Sequence, residues 1–221
     1  MGLTVTSKSV RSPATNANSY SFDAFTPSTN TPILIVGVNT NGTNPIASIS
    51  DDQGNTWVSI HAENSTADSI HVWYTEAPAV ASTIITVSFV GGTGFLGEVF
   101  EVPYGTFGQV NASAGASTTT PAVTMSGAFS TSNAGVCFLF NGQTPGAMTA
   151  PADWTESNDV GHLSPSRGME TAFRNSGETG STITWGSNSA DRWRAIVVEI
   201  VDNSPAGAAI RYFRTLLGVG R

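Results

Sequence analysis

VFEV at 99–102 returns 98 residues later as VVEI at 197–200, and the same offset lays ITVSF at 85–89 over ITWGS at 183–187. An offset of 97 sets Trp57 on Trp154, in NTWVS and ADWTES, and one of about 100 sets LIVGV at 34–38 over VCFLF at 136–140. Four matched blocks in one order predict a doubled chain, because self-similarity at a fixed spacing is the mark of a repeated structural unit. The reading is of two related β units, 1–108 and 109–203, that can also pack as one sandwich, followed by a tail at 204–221. The join GQVNASAGASTTTPAVT, 108–124, is rich in Ala, Ser and Thr and runs into the first strand of the second unit.

The matched blocks belong to a wider set of short apolar segments. PILIVGV at 32–38, SIHVWY at 69–74, TIITVSF at 83–89, GVCFLF at 135–140, STITW at 181–185 and AIVVEIV at 195–201 are β-branched and aromatic. Turn clusters such as DDQGN and RNSGETG separate them, and no window before residue 204 keeps a helical apolar period. This predicts an all-β chain of two antiparallel β-sandwich, jelly-roll-like units.

Composition narrows the partners. Only 11% of the 221 residues are charged, lysine occurs once, at Lys8, and the net charge is -7. A neutral, hydroxyl-rich surface without a basic patch does not suit a phosphate backbone, so no nucleic acid is expected. Cys137, the single cysteine, sits in an apolar run and reads as a small buried hydrophobe. The start MGLTVTSKSVRS lacks the about 7 to 15 apolar residues of a signal peptide, and no stretch reaches the roughly 18 needed to span a bilayer. The expectation is a protein made in the cytoplasm, without a membrane role.

DDQGNTW at 51–57 is the stretch that most resembles a site. Two aspartates and an asparagine around a glycine fit a metal loop, a carboxylate pair or a capped turn. The second copy, TAPADWTES, keeps the tryptophan and loses the cluster. We therefore expect a turn in which Gly54 supplies the bend, Asp51, Asp52 and Asn55 cap backbone N–H groups, and Trp57 buries its ring between the sheets. Trp57→Ala would then cost about 3–5 kcal/mol. The alternating oxygen ligands and distal glutamate of a calcium loop are missing.

Other chemistry finds no foothold. His61, His71 and His162 lack zinc spacing. Glu98 and Glu101 fall on opposite faces of one strand, so they cannot flank one glycosidic bond. Glu101 recurs as Glu199 and is expected to point outward, while Glu98 falls in the inward phase, partly buried near an edge. No catalytic residue, cofactor site or metal site is predicted, and no enzyme. Among the tryptophans, Trp57, Trp154 and Trp185 read as core, whereas Trp73 and Trp193 are left as possible sugar-stacking faces. The sequons at Asn41, Asn64 and Asn111 carry meaning only in a eukaryotic secretory setting.

The last residues change style. Ser204 and Pro205 suit the start of a short C-terminal helix and Gly218 its end. Ile210, Phe213 and Leu217, with Leu216 beside them, form an apolar stripe, and Arg211, Arg214 and Arg221 add charge opposite to the acidic body. Such a segment reads either as a docking peptide or as a helix folded back on its own sandwich.

Taken in order, LIVGV, SISDDQGNTWVSI, HVWYTEAP, TIITVSF and GEVFEV, then DWTES, TAFRNSG, TITW and WRAIVVEI, resemble a broad group of bacterial and phage jelly-roll proteins. The group is marked by an apolar strand, an Asp-x-x-Gly-Asn-x-Trp turn and a later strand ending in Glu. The likeness covers about residues 30–202 and rests on structural motifs. It implies a non-enzymatic virion component, foremost a capsid decoration or cement protein bound to the major capsid protein or another virion protein, and it allows a homo-oligomer. On that reading the partner contacts are Lys8 and Arg11 of an N-terminal arm with Ile210, Arg211, Phe213, Arg214, Leu216 and Leu217 of the tail. The alternative is a carbohydrate-binding adhesin module that uses Trp73 or Trp193.

Overall fold

The computed structural model describes residues 2–13, 15–41, 46–64, 68–116, 119–142, 148–163, 166–188 and 192–205. All regular structure among them is strand, in antiparallel sheets. The sequence reading of an all-β sandwich holds. The expected C-terminal helix and its stripe lie outside the described residues.

The first half supplies β1 (Thr6–Arg11), β2 (Ala17–Ser21), β3 (Ile33–Asn41), β4 (Ile46–Asp51), β5 (Val58–Asn64), β6 (Asp68–Glu76), β7 (Ile85–Thr93) and β8 (Phe95–Val102). The second supplies β9 (Gly105–Gly115), β10 (Ala122–Thr124), β11 (Ala134–Asn141), β12 (Thr149–Pro151), β13 (Thr155–Leu163), β14 (Ser166–Arg174), β15 (Thr182–Ser187) and β16 (Trp193–Asp202). Sheet orders are β1-β8-β3-β6-β5 with β2-β7-β4 in the first half, and β9-β16-β11-β14-β13 with β10-β15-β12 in the second. Adding eight to each strand number of the first half gives the second. Part of the Ala/Ser-rich join is ordered as β9, an edge strand paired with β16 along nearly its whole length.

The four sheets stack in layers, three-stranded, five-stranded, five-stranded, three-stranded, with apolar side chains between each neighbouring pair. Val36, Val38, Trp73, Val99 and Phe95 fill the first gap. Ile35, Val72 and Phe100 turn the other way and meet Val136, Phe138 and Ile196 of the second half. Cys137, Leu139, Trp185 and Val197 fill the third gap. The five-stranded sheets are thus covered on both faces, which is why β8 and β11 are buried at every residue and read as unbroken apolar runs.

That double burial corrects the expected place of the glutamates. Glu101 and Glu199 do not point outward; they are 3% and 5% exposed. Glu101 accepts Ser28 N–H at 3.2 Å and pairs with Lys8 Nζ at 3.3 Å. Glu199 accepts Ser130 N–H at 3.1 Å and Asn133 Nδ2 at 2.7 Å. Each therefore ties its sheet to the loop beneath it. Glu98 is fully rather than partly buried, on the strand next to the edge strand β1.

Candidate functional site

Among the described residues, those singled out in the sequence have definite places. In the 51–57 turn, Asp51 Oδ1 accepts the N–H groups of Gln53 (2.9 Å) and Asn55 (3.1 Å), and Oδ2 accepts Asn55 Nδ2 (3.1 Å) and the Trp57 indole (2.7 Å). Asp52 Oδ1 accepts Ile84 N–H at 2.9 Å, Asn55 Oδ1 accepts Ala79 N–H at 2.9 Å, and Gly54 takes a φ of +73°. These side chains are spent on the turn and its neighbours, so their geometry is that of a capped loop. Trp57 differs from expectation: its ring is half-buried at the margin of the first apolar layer.

The second half builds the same corner with fewer residues. Trp154 N–H donates to Pro151 C=O at 3.1 Å, and Asp153 holds a left-handed φ of +64°. The indole of Trp154, buried here, donates to Glu178 Oε2 at 3.1 Å, so a glutamate from the loop after β14 replaces the aspartate of the first half. Glu178 also accepts Thr179 N–H, Gly180 N–H and Arg174 Nη1. Burial pushes its carboxyl up, but these donors together hold it below the usual range. A groove of about 250 Å³ opens beside this corner, with Asp153, Trp154, Arg174, Glu178, Thr182 and Thr184 on its walls.

The layer between the halves holds a fully buried carboxylate, Glu98, with three donors. Glu98 Oε1 accepts Ser157 Oγ at 2.7 Å and Asn158 Nδ2 at 2.8 Å, and Oε2 accepts Thr171 Oγ1, all from the second half. Sequence reasoning could not find these partners, because they lie on other strands about 60 to 73 residues away. Glu98 and Glu101 do point to opposite faces of β8, as the two-residue period requires. Nearby, the Phe138 ring lies where a Cβ on Gly37 would stand, 2.4 Å away.

One half-buried and one fully buried titratable group complete the set. His71 packs against Trp73 at 4.9 Å between ring centroids, and burial, with His61 beside it, lowers its pKa to about 4. Glu170 is fully buried with neither carboxyl oxygen partnered. Burial, then Glu156 and Asp159, raise it to about 8, so it is largely protonated at neutral pH. Cys137 is buried, and burial followed by Glu170 raises its thiol. A thiol held protonated in an apolar layer is inert packing.

The expected contact residues fare unequally. The N-terminal arm is strand β1, anchored between the halves by buried Leu3 and Val5, with Val5 N–H donating to Asn175 Oδ1 at 2.8 Å. Lys8 is committed to Glu101 and stands 5.9 Å over the Phe25 ring, whereas Arg11 is half-exposed and paired with Asp23 at 3.1 Å. Ile210, Arg211, Phe213, Arg214, Leu216 and Leu217 lie outside the described residues. Trp73 and Trp193, the rings offered to sugars, are each 6% exposed and present no stacking face. Among the described residues no three His, Cys, Asp or Glu side chains gather as a metal would need, and no helix is long and apolar enough to cross a membrane.

Compared with protein-family models and with curated proteins, the chain matches none.

Proposed function

We propose that the chain is a virion structural protein, a capsid decoration or cement protein built from two jelly-roll-like halves. It binds the assembled shell, not free subunits, and each copy adds lattice stability by mass action. The observation that carries this reading is the middle apolar layer: Glu98 and Phe138 lock the halves face to face, and Leu3 and Val5 seal them. A body fixed in this way loses little further freedom on docking, which favours a scaffold role.

Its buried carboxylates also support the reading, since Glu98, Glu101 and Glu199 are consumed in joining layers instead of facing a common cleft. The contact surface in this proposal is the tail from Ile210 to Leu217 with Arg11; Lys8 contributes by holding β1. The test is sedimentation of the full chain with intact phage particles, with empty shells and with unassembled capsid subunits. Saturable binding to shells alone, lost on deleting residues 205–221, is expected. Binding to free subunits, or to no particle component, would overturn the assignment.

A further inference from the structure

The two halves close one corner differently. In the first, β4 pairs with β7 out to Asp51↔Ile85. Asp52 then extends the pairing, its N–H donating to Ile84 C=O at 3.3 Å and its carboxylate accepting Ile84 N–H, while Gln53 Nε2 donates to Ser82 C=O at 2.9 Å. In the second, β12 is three residues long and pairs with β15 only at Thr149↔Ser187 and Pro151↔Trp185. Thr182, which stands where Ile84 stands, has no strand on that side.

The backbone there faces the groove. Ser181 C=O accepts Met125 N–H and Trp185 N–H donates to Pro121 C=O, so this phase of β15 points toward β10. By alternation the N–H and C=O of Thr182 point the other way, over the groove. Its walls are already set: Arg174 is bonded to Ser176 C=O, Gly177 C=O and Glu178. Exposed Asp153 carries a carboxylate that no other described side chain neutralises. Ile183 beneath is buried, and the hydroxyls of Thr182 and Thr184 are exposed on the rim.

We propose that this free edge of β15 takes an extended peptide segment bearing a basic side chain, added as an antiparallel strand beside Thr182 with its cation against Asp153. The first half shows what satisfies the same place: a chain segment running antiparallel that meets the edge's backbone groups with one main-chain hydrogen bond and two from side chains. An open edge of this kind is a ready template for strand addition. The uncompensated carboxylate and the net charge of -7 select a basic partner over an acidic one. The inference stands apart from the virion reading, since it names a surface and a ligand chemistry and no particle.

The probe is a positional-scanning library of capped heptapeptides, screened against the full chain by fluorescence polarisation. Pools with Arg or Lys at a central position should bind, and the best peptide should shift the Thr182 backbone amide and the Trp154 indole resonance. Asp153→Asn should weaken it about tenfold, the loss of one charge pair. Thr182→Pro should abolish it. Because Thr182→Pro can disturb β15, a second variant replaces Ala152 and Asp153 with the segment 52–56, which fills the groove from within and should also abolish binding. The free chain offers a separate readout, amide exchange at Thr182 faster than at Ile84. Absence of any binding pool, preference for acidic pools, binding that survives the grafted turn, or a neutral oligosaccharide shifting the same amides in place of peptides would each overturn the proposal.

Discussion

Gly37 and Phe138 hold the same place in the two halves, each on the middle strand of its five-stranded sheet. Gly37 lies between Glu98 and Val72 in the ladder, and Phe138 lies between Ile196 and Thr171. They face one another across the middle layer, one lacking a side chain and the other filling the gap with a ring. Glu98 corresponds in the same way to Ile196, and Thr171 to Val72: one corner of the interface is a hydrogen-bonded clamp and its counterpart is apolar. The lesson is that a shared winding needs only shared strand patterning, whereas two copies meeting face to face must diverge where equivalent residues touch. Two rings could not occupy the Gly37 position together in an interior packed as densely as a crystal.

The first way to break this comparison is to remove the ring. Phe138→Ala should destabilise the chain by about 3–5 kcal/mol, and Gly37→Leu in the same molecule should return part of the loss. Chemical denaturation of the four members of a double-mutant cycle measures the coupling. Independent, additive effects would mean that the two positions do not share a space.

Next is the clamp. Glu98→Ala leaves Ser157, Asn158 and Thr171 without their acceptor in an apolar layer, for about 3 kcal/mol. Ile196→Ala at the apolar counterpart should cost a comparable amount through a cavity, without leaving polar groups stranded. Hydrogen exchange should distinguish them, with β13 and β14 loosened selectively in Glu98→Ala.

The third concerns acid and base. His71 pairs with Val38 and Glu170 with Leu139, so the two groups stand at equivalent places. His71 has a folded pKa of about 4, below its ordinary 6.5, so the native state favours the neutral ring. Its stability is full above pH 6.5 and is lost as pH falls toward 4. Glu170 has a folded pKa of about 8, above its ordinary 4.5, so the native state favours the protonated acid. Its stability is full below pH 4.5 and is lost as pH rises toward 8, by at most about 1.4 kcal/mol per pH unit. The melting-temperature advantage of Glu170→Gln over the parent should therefore grow from pH 4.5 to 8, and that of His71→Gln should appear only below pH 6.5. Matching pH profiles for the two variants would contradict the opposed environments.

The smallest expected effect sharpens the corner comparison. Asp51→Ala removes the acceptor of four groups in a largely exposed turn and should cost about 1–2 kcal/mol. Glu178→Ala, its functional counterpart toward tryptophan, should cost about 1 kcal/mol and leave the indole proton of Trp154 exchanging faster, a change visible by NMR.

Much of this molecule was legible in the chain. Strand identity follows from short β-branched runs between turn residues, because those side chains fit a pleated surface. The recurrence of VFEV as VVEI marked equivalent strands, and Glu101 and Glu199 do hold equivalent loops. The two-residue period placed Glu98 and Glu101 on opposite faces of one strand. The same period misled where it assigned one face to water, because a strand covered on both sides has no outward phase. Trp73 and Trp193, left as faces for sugars, are buried as well.

The sequence alone determined an all-β chain whose segments recur in order, since periodicity and turn chemistry are local properties of neighbouring residues. Only the tertiary structure decided that the two five-stranded sheets turn their faces to each other. That choice made Glu98 a clamp, seated Phe138 over Gly37, turned His71 and Glu170 into groups held neutral, and left one corner open at Thr182. Each of these depends on which distant strand supplies or withholds a partner, and burial energy is set by that pairing, not by the order of residues along the chain.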